Sequence, residues 1–216
     1  MGELLRSDFE VVTLLATNEF FNDNGPLLKH FPGEQIETSE KELDTIGSFQ
    51  SNTSALAVAK MKPNQRPSLQ QREYVVVLDD IRDPGNMGTI IRTADWYGIR
   101  NIIASEETAD FYNPKVISAS MGSFCRMNVF YTSLEDYLSP VKMPVYGTFL
   151  DGENIHQVAF ESEGLIVIGN EANGISSGVA KFINHKITIP RFGEAESLNA
   201  GIATAIVLDN LFRSKK

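Results

Sequence analysis

Residues 74–98 read YVVVLDDIRDPGNMGTIIRTADWYG. The first part, YVVVLDD, is apolar at successive positions, the pattern of a strand buried on both faces. The last part, NMGTIIRTADWYG, predicts an amphipathic helix that Gly98 ends. Between them, DPGNMG is a glycine-containing turn at a strand-to-helix junction, the place where open parallel sheets bind ligands. It carries neither the G-x-G-x-x-G of dinucleotide-binding folds nor the G-K-[ST] of a phosphate loop, which argues against an NAD enzyme or an ATPase. Two residues in it stand out. Asn86 follows Pro-Gly and, taken alone, reads as a helix N-cap. Arg92 falls on a helix expected to be buried, either as an ion-pair partner of Asp79, Asp80 or Asp95 or as a residue kept for chemistry.

Working outward, the alternation continues to the end of the chain. NIIAS is a strand; a helix runs from Pro114 to about Met121; RMNVFYT holds a strand and SLEDYL a short helix. PVYGTFL, GLIVIGN and HKITIP are strands, SGVAKF a turn or short helix, and Ser197 to Arg213 a terminal helix with Ser197 as its N-cap. Apolar strands separated by helices predict an α/β fold with a parallel sheet covered on both sides. Upstream, AKMKPNQRPSLQQRE is polar and carries Pro63 and Pro67, so residues 61–72 read as a linker. Before it, residues 1–60 form a small α/β lobe: FEVVTLLAT a strand, ETSEKELDTIGS a helix capped by Thr38 or Ser39, and SALAVAKM a strand. Residues 73–216 make the second domain.

Composition narrows the function. The chain has 216 residues, a net charge of −9 and a single cysteine, Cys125. One cysteine excludes an internal disulfide and a cysteine-rich zinc site, and no metal is expected. Cys125 lacks an activating base in its sequence neighbourhood and reads as a packing residue. The N-terminus is no secretory signal, no run of about 18 apolar residues offers a membrane span, and a cytoplasmic setting follows. Residues 1–60 hold ten acids against four bases, whereas residues 61–216 hold eighteen against fifteen. Any RNA partner must therefore be held by a local patch and not by the global field.

Three loops follow strands and combine glycines with amide or carboxylate side chains: DPGNMG, GNEANGIS and PRFGEAESLN. Each alone has a plain structural reading, Glu171 as a helix cap or surface ion pair and RFGEAES as an ordinary surface loop. In this order and spacing they resemble the SpoU-type, TrmH-like RNA 2′-O-ribose methyltransferases of the SPOUT superfamily. The resemblance covers about residues 73–213 and rests on Asn86, Gly88 and RTA at 92–94, then on GNEANGIS, then on IPRFGEAESLNAGIATAIVL, with PKVISASMGS between. Ala172 stands where a glycine is common.

The resemblance implies a C-terminal deep trefoil knot, S-adenosylmethionine as cofactor, RNA (rRNA or tRNA) as substrate and an obligate homodimer with a shared site. It implies a catalytic set of Arg92, Asn86, Glu171, Ser197 and Asn199. The cofactor pocket implied is Thr148, Phe149 and Leu150, Gly169, Asn170 and Gly174, Ile189 and Pro190, and Ser197, Leu198 and Asn199. An arginine is an awkward base, because guanidinium stays protonated at ordinary pH. Arg92 therefore fits a charged role better, fixing a phosphate and steadying a developing alkoxide. Asn86 would orient Arg92 or the ribose, and Glu171 would hold Arg92 or a partner amide. The first lobe resembles a shortened version of an RNA-recruiting domain like a small ribosomal protein, with packing or dimerisation as its other reading. Two rival functions remain: methylation of a base nitrogen, or a non-catalytic RNA-binding or assembly factor.

Overall fold

The computed structural model describes residues 1–47 and 53–213 and divides the chain into two units, Met1–Pro63 and Asn64–Lys216. The first unit runs α1 (Gly2–Leu5), β1 (Val11–Ala16), α2 (Asn18–Asp23), α3 (Gly25–Leu28), β2 (Glu34–Glu37), α4 (Glu40–Ile46) and β3 (Ala55–Ala59). β1 is central, parallel to β2 and antiparallel to β3. Leu14, Ala16 and Leu28 form the core, with Phe20, Phe21 and Phe31 packed against it. Ser39, not Thr38, caps α4: its hydroxyl accepts from the Glu42 amide while Glu42 accepts from the Ser39 amide. Ser48, the last residue of the helical segment expected there, lies outside the described residues.

The second unit runs β4 (Tyr74–Asp79), α5 (Pro84–Trp96), β5 (Asn101–Ala104), α6 (Pro114–Ala119), β6 (Asn128–Tyr131), α7 (Leu134–Leu138), β7 (Val145–Asn154), β8 (Gly164–Gly169), α8 (Ser177–Ala180), β9 (His185–Thr188) and α9 (Ala200–Arg213). Its six strands are all parallel, in the order β6-β5-β4-β8-β7-β9. β4 explains the unbroken apolar run, for it is buried at every position between β5 and β8. Val76 and Leu78 pack on one face with Met87, Ile90, Ile91 and Ala94 of α5 and Val207, Leu208 and Leu211 of α9. Val75 and Val77 pack on the other face with Leu134, Tyr137 and Leu138 of α7 and Val179 of α8. Strand residues thus alternate between two helix layers.

The segment at 64–72 lies along this unit despite its polarity. Asn64 exchanges two hydrogen bonds with the Tyr131 backbone, both 2.9 Å, and Arg66 lies 4.8 Å over the Tyr137 ring. Leu69 packs against the core.

β7 leaves the sheet partway along. Its Thr148 pairs with Ile187 of β9, and so does Glu153, so the residues between form a detour from the ladder. Gly152 makes the return possible: a Cβ there would sit 2.8 Å from the backbone of Lys186 and Ile187. Among the described residues no helix is long and apolar enough to cross a membrane.

Candidate active site

The chain runs from β4 out to β5 and β6, then returns to lay β8 against the other side of β4. This is a topological switch point, and the loops after β4 and β8 open there. The first of them is set by Asp83, whose carboxylate accepts from the Asn86 amide at 2.8 Å and caps α5, with Pro84 in the first turn. The Asn86 amide, aided by Lys115 and opposed by partial burial, holds the Asp83 carboxyl below its usual range. Asn86 is therefore not the cap but lies within the first turn, which frees its side chain.

That side chain joins all three loops. Its Nδ2 donates to a Glu171 carboxylate oxygen, and its Oδ1 accepts from Asn199 Nδ2 at 2.7 Å. Asn199 Oδ1 in turn accepts from the Ile202 amide at 3.2 Å, and its carbonyl accepts from Ala203. Asn199 thus caps α9, which begins at Ala200 and not at Ser197 as expected. The direction of the chain is forced, because a carboxylate can only accept and so decides which end of each amide faces which neighbour.

The second loop is tied at both ends to the end of β4. Asn170 Nδ2 donates to the Asp80 carbonyl at 2.8 Å, while Asn170 Oδ1 accepts from the amides of Ala172 and Asn173 at 2.9 and 3.2 Å. At the far end the Ser176 amide donates to Asp79, 2.7 Å away and only 5% exposed. Gly169 admits this turn because a Cβ there would lie 2.4 Å from the Gly174 backbone.

Arg92 lies on the exposed face of α5, whose other face is buried as expected. The ion-pair reading fails. Asp95 binds Arg126 at 2.6 Å, Asp80 binds Arg82 at 2.6 Å, and Asp79 serves Ser176. Among the described residues the Arg92 guanidinium has no hydrogen bond or ion pair. Burial pushes the Asp95 carboxyl up, but Arg126, Ser123 and Arg100 outweigh it and hold it low. Cys125 is buried, as a packing residue would be.

The residues implied for the cofactor gather at the ends of the adjacent strands β8, β7 and β9. Thr148 donates to the Val167 carbonyl at 3.3 Å, and Phe149 lies under Lys186, whose Nζ is 4.8 Å from the ring. Leu150 is 79% exposed, and its carbonyl takes the Thr188 hydroxyl at 3.3 Å. Ile189 and Pro190 are half-buried, whereas residues 191–199 are all exposed, Leu198 and Ser197 included. Ser197 makes no side-chain hydrogen bond among the described residues. The exposed Leu150 and Leu198 side chains beside glycine-turn backbone offer the apolar surface and hydrogen-bonding groups that the adenosine and methionine arms of a sulfonium cofactor would need. The site residues that sequence reasoning missed are Asp83 and Ser176, and it took Asp79 and Asp80 only for partners of Arg92. The adjacent acids at a strand end were the one available signal.

Comparison with known proteins agrees with this geometry. The profile of the SpoU rRNA Methylase family matches residues 73–209. The 23S rRNA (guanosine(2553)-2′-O)-methyltransferase RlmP of Bacillus subtilis is 31% identical over 80% of this chain and 70% of its own length. The chain spans much less of two tRNA/rRNA methyltransferases of Synechocystis sp., 38% and 50% of their lengths. Among solved structures, a TrmH-family protein from Porphyromonas gingivalis superposes with a TM-score of 0.85 at 32% identity, covering 99% of this chain and 86% of that one. The SpoU methyltransferase AviRb of Streptomyces viridochromogenes, in complex with AdoMet, gives 0.85 at 26% identity over the same shares. With three motif loops meeting at one switch point and a profile match across them, the chain belongs to the SpoU rRNA methylase family.

Proposed function

We propose that this protein methylates a ribose 2′-hydroxyl in RNA, using S-adenosylmethionine, and that Arg92 acts on the substrate. The observation that carries the reading is Arg92 itself, a solvent-facing guanidinium without a protein partner among the described residues, on the helix whose first turn binds the other two motif loops. A protein that kept the fold only to bind RNA would have no need of the Asn86–Glu171–Asn199 chain at the start of the same helix.

S-adenosylmethionine supplies, when bound, a sulfonium methyl that is already a good electrophile. What remains for the chain is to bind, align and stabilise. Thr148, Phe149, Leu150, Gly169, Gly174, Ile189, Pro190, Ser197 and Leu198 are the residues that would hold it. The Arg92 guanidinium grips a backbone phosphate through its planar fork and offsets negative charge growing on the 2′-oxygen, whose proton passes to that phosphate or to solvent water. Glu171 does not neutralise Arg92, because its carboxylate is engaged by Asn86. RTA and SLN favour ribose over a base nitrogen.

The protein works as a homodimer in this reading. Arg92 lies six residues beyond Asn86, about 120° around the helix, so the two side chains do not share a face. On the ridge of Arg92, Trp96 is 84% exposed, and neighbouring α9 leaves Ile202 52% exposed. A second copy covering this ridge would bring Arg92 to a cofactor held by its partner. A C-terminal trefoil knot and, with an RNA substrate, a cytoplasmic setting belong to the same reading. The test is incubation with total RNA from a strain lacking the gene, followed by mapping and nucleoside analysis. A new 2′-O-methyl is expected; a methylated base, or none, overturns the proposal.

A further inference from the structure

We infer that Asn170, together with Asp79 and Asp80, is a clamp that positions Glu171 against Asn86, and that Asn170 is not a cofactor ligand. This rests on the methyltransferase reading of the site. Asn170 spends its side chain inward. Its oxygen accepts two successive amides, Ala172 and Asn173, which fixes the backbone on the far side of Glu171. Its nitrogen reaches the Asp80 carbonyl at 2.8 Å and lies 3.4 Å from the Asp80 carboxylate. The Asn170 backbone closes the same turn by exchanging both hydrogen bonds with Gly174, at 3.1 and 2.8 Å.

Asp80 is shaped to receive this amide. Its φ of 60° lies in the left-handed region, unusual for a residue with a Cβ. The Ser105 hydroxyl takes its amide at 3.0 Å, and Arg82 neutralises its carboxylate. One residue earlier, the buried Asp79 carboxylate holds the Ser176 amide, so the loop is gripped at both ends by consecutive residues of one strand end. Glu171 stands between the two grips, half-buried, and delivers its carboxylate to Asn86. A carboxylate displaced from there would leave the Asn86 Nδ2 without its acceptor, while the Ile202 amide still holds Asn199 in the same orientation.

The discriminating variant is Asn170→Asp, which keeps size and acceptor oxygens but replaces the donor with a charge facing the Asp80 carbonyl. The clamp requires kcat for methyl transfer to fall on the order of tenfold or more, with the KM for S-adenosylmethionine within about twofold of the parent. A tenfold or greater rise in that KM with kcat retained would make Asn170 a cofactor ligand and overturn the inference. A second arm reads thermal unfolding alone. Asn86→Ala lowers Tm in the parent protein, and in the Asn170→Asp background it lowers Tm by less than half as much, because Glu171 is no longer delivered. Equal drops in both backgrounds overturn the clamp. Should Asn170→Asp fail to fold, Asn170→Ser, too short to span to Asp80, takes its place in both arms. A parent protein that methylates no RNA sinks the ribose reading, while the Tm cycle still decides the clamp.

Discussion

Arg92→Ala removes the one guanidinium of α5 without touching any hydrogen bond between described residues. Methyl transfer is expected to fall by about a hundredfold or more, the size of loss seen when a preorganised charge is taken from a developing anion. Affinity for S-adenosylmethionine measured by calorimetry stays within about twofold, since nothing in the cofactor loops depends on Arg92. A variant with ordinary turnover in a tritiated-methyl assay removes Arg92 from the mechanism. Asp83 makes a separate prediction about stability. Asp83→Ala costs about 1 kcal/mol as a lost N-cap. Because the native carboxyl titrates below the 3.8 usual for aspartate, its contribution is complete above that value and fades as pH falls through the lowered one. Thermal melts of parent and variant therefore differ by a constant amount from neutrality down to about pH 5, and converge only in stronger acid.

Between elements, α5 and α6 approach each other closely. A Cβ on Gly88 would come 2.5 Å from the Ala119 Cβ and 2.8 Å from the Val116 carbonyl. Gly88→Ala therefore pushes the helices apart at a cost of about 1–3 kcal/mol, read as a Tm lower by about 2–4 °C for each kcal/mol in a chain of this size. An unchanged Tm would mean that α6 yields freely. The same element pair shows what a linear sequence can carry. β4 and α5 were legible because full burial leaves an apolar run and because Pro84 and Gly98 bracket the helix. β2 was not, since its residues EQIE are all exposed and have no apolar side to betray them. The helix starts were legible as polar residues near an apolar run, but the sequence reading put the cap too late at α5 and too early at α9. Asp83, not Asn86, caps α5, with Pro84 in the first turn behind it; Asn199, not Ser197, caps α9 and also meets Asn86. The motif residues could be picked out, yet Asn86 bonding Glu171 across 85 residues could not. Contacts of that kind are set by strand order, and strand order is not periodic.

For the whole molecule, the dimer proposed above would make the ridge of Arg92 and Trp96 tie activity to assembly. Trp96→Glu places a charge on the face proposed to meet a second copy. Sedimentation velocity is expected to show the parent as a dimer that dissociates only on dilution, and the variant as a monomer at concentrations where the parent is paired. Methyl transfer falls with the dimer, although Trp96 lies outside the cofactor loops. A variant that stays dimeric with full turnover removes this ridge from the interface. The first unit, with ten acids against four bases through residue 60, adds little attraction for phosphate, so the salt dependence of RNA binding is expected to come from the second.

The detour in β7 separates two properties that most mutations change together. Ile187 faces β7 twice, at Thr148 and again at Glu153, so the ladder resumes where it stopped, whatever the chain does in between. Length in that interval is a free variable for the sheet and a fixed one for the ligand. Shortening it at the exposed Asp151 is expected to leave the β7–β9 register intact and to move Leu150, one of the residues proposed to hold the cofactor. A set of length variants in this interval is therefore expected to tune affinity for S-adenosylmethionine with the melting temperature nearly still.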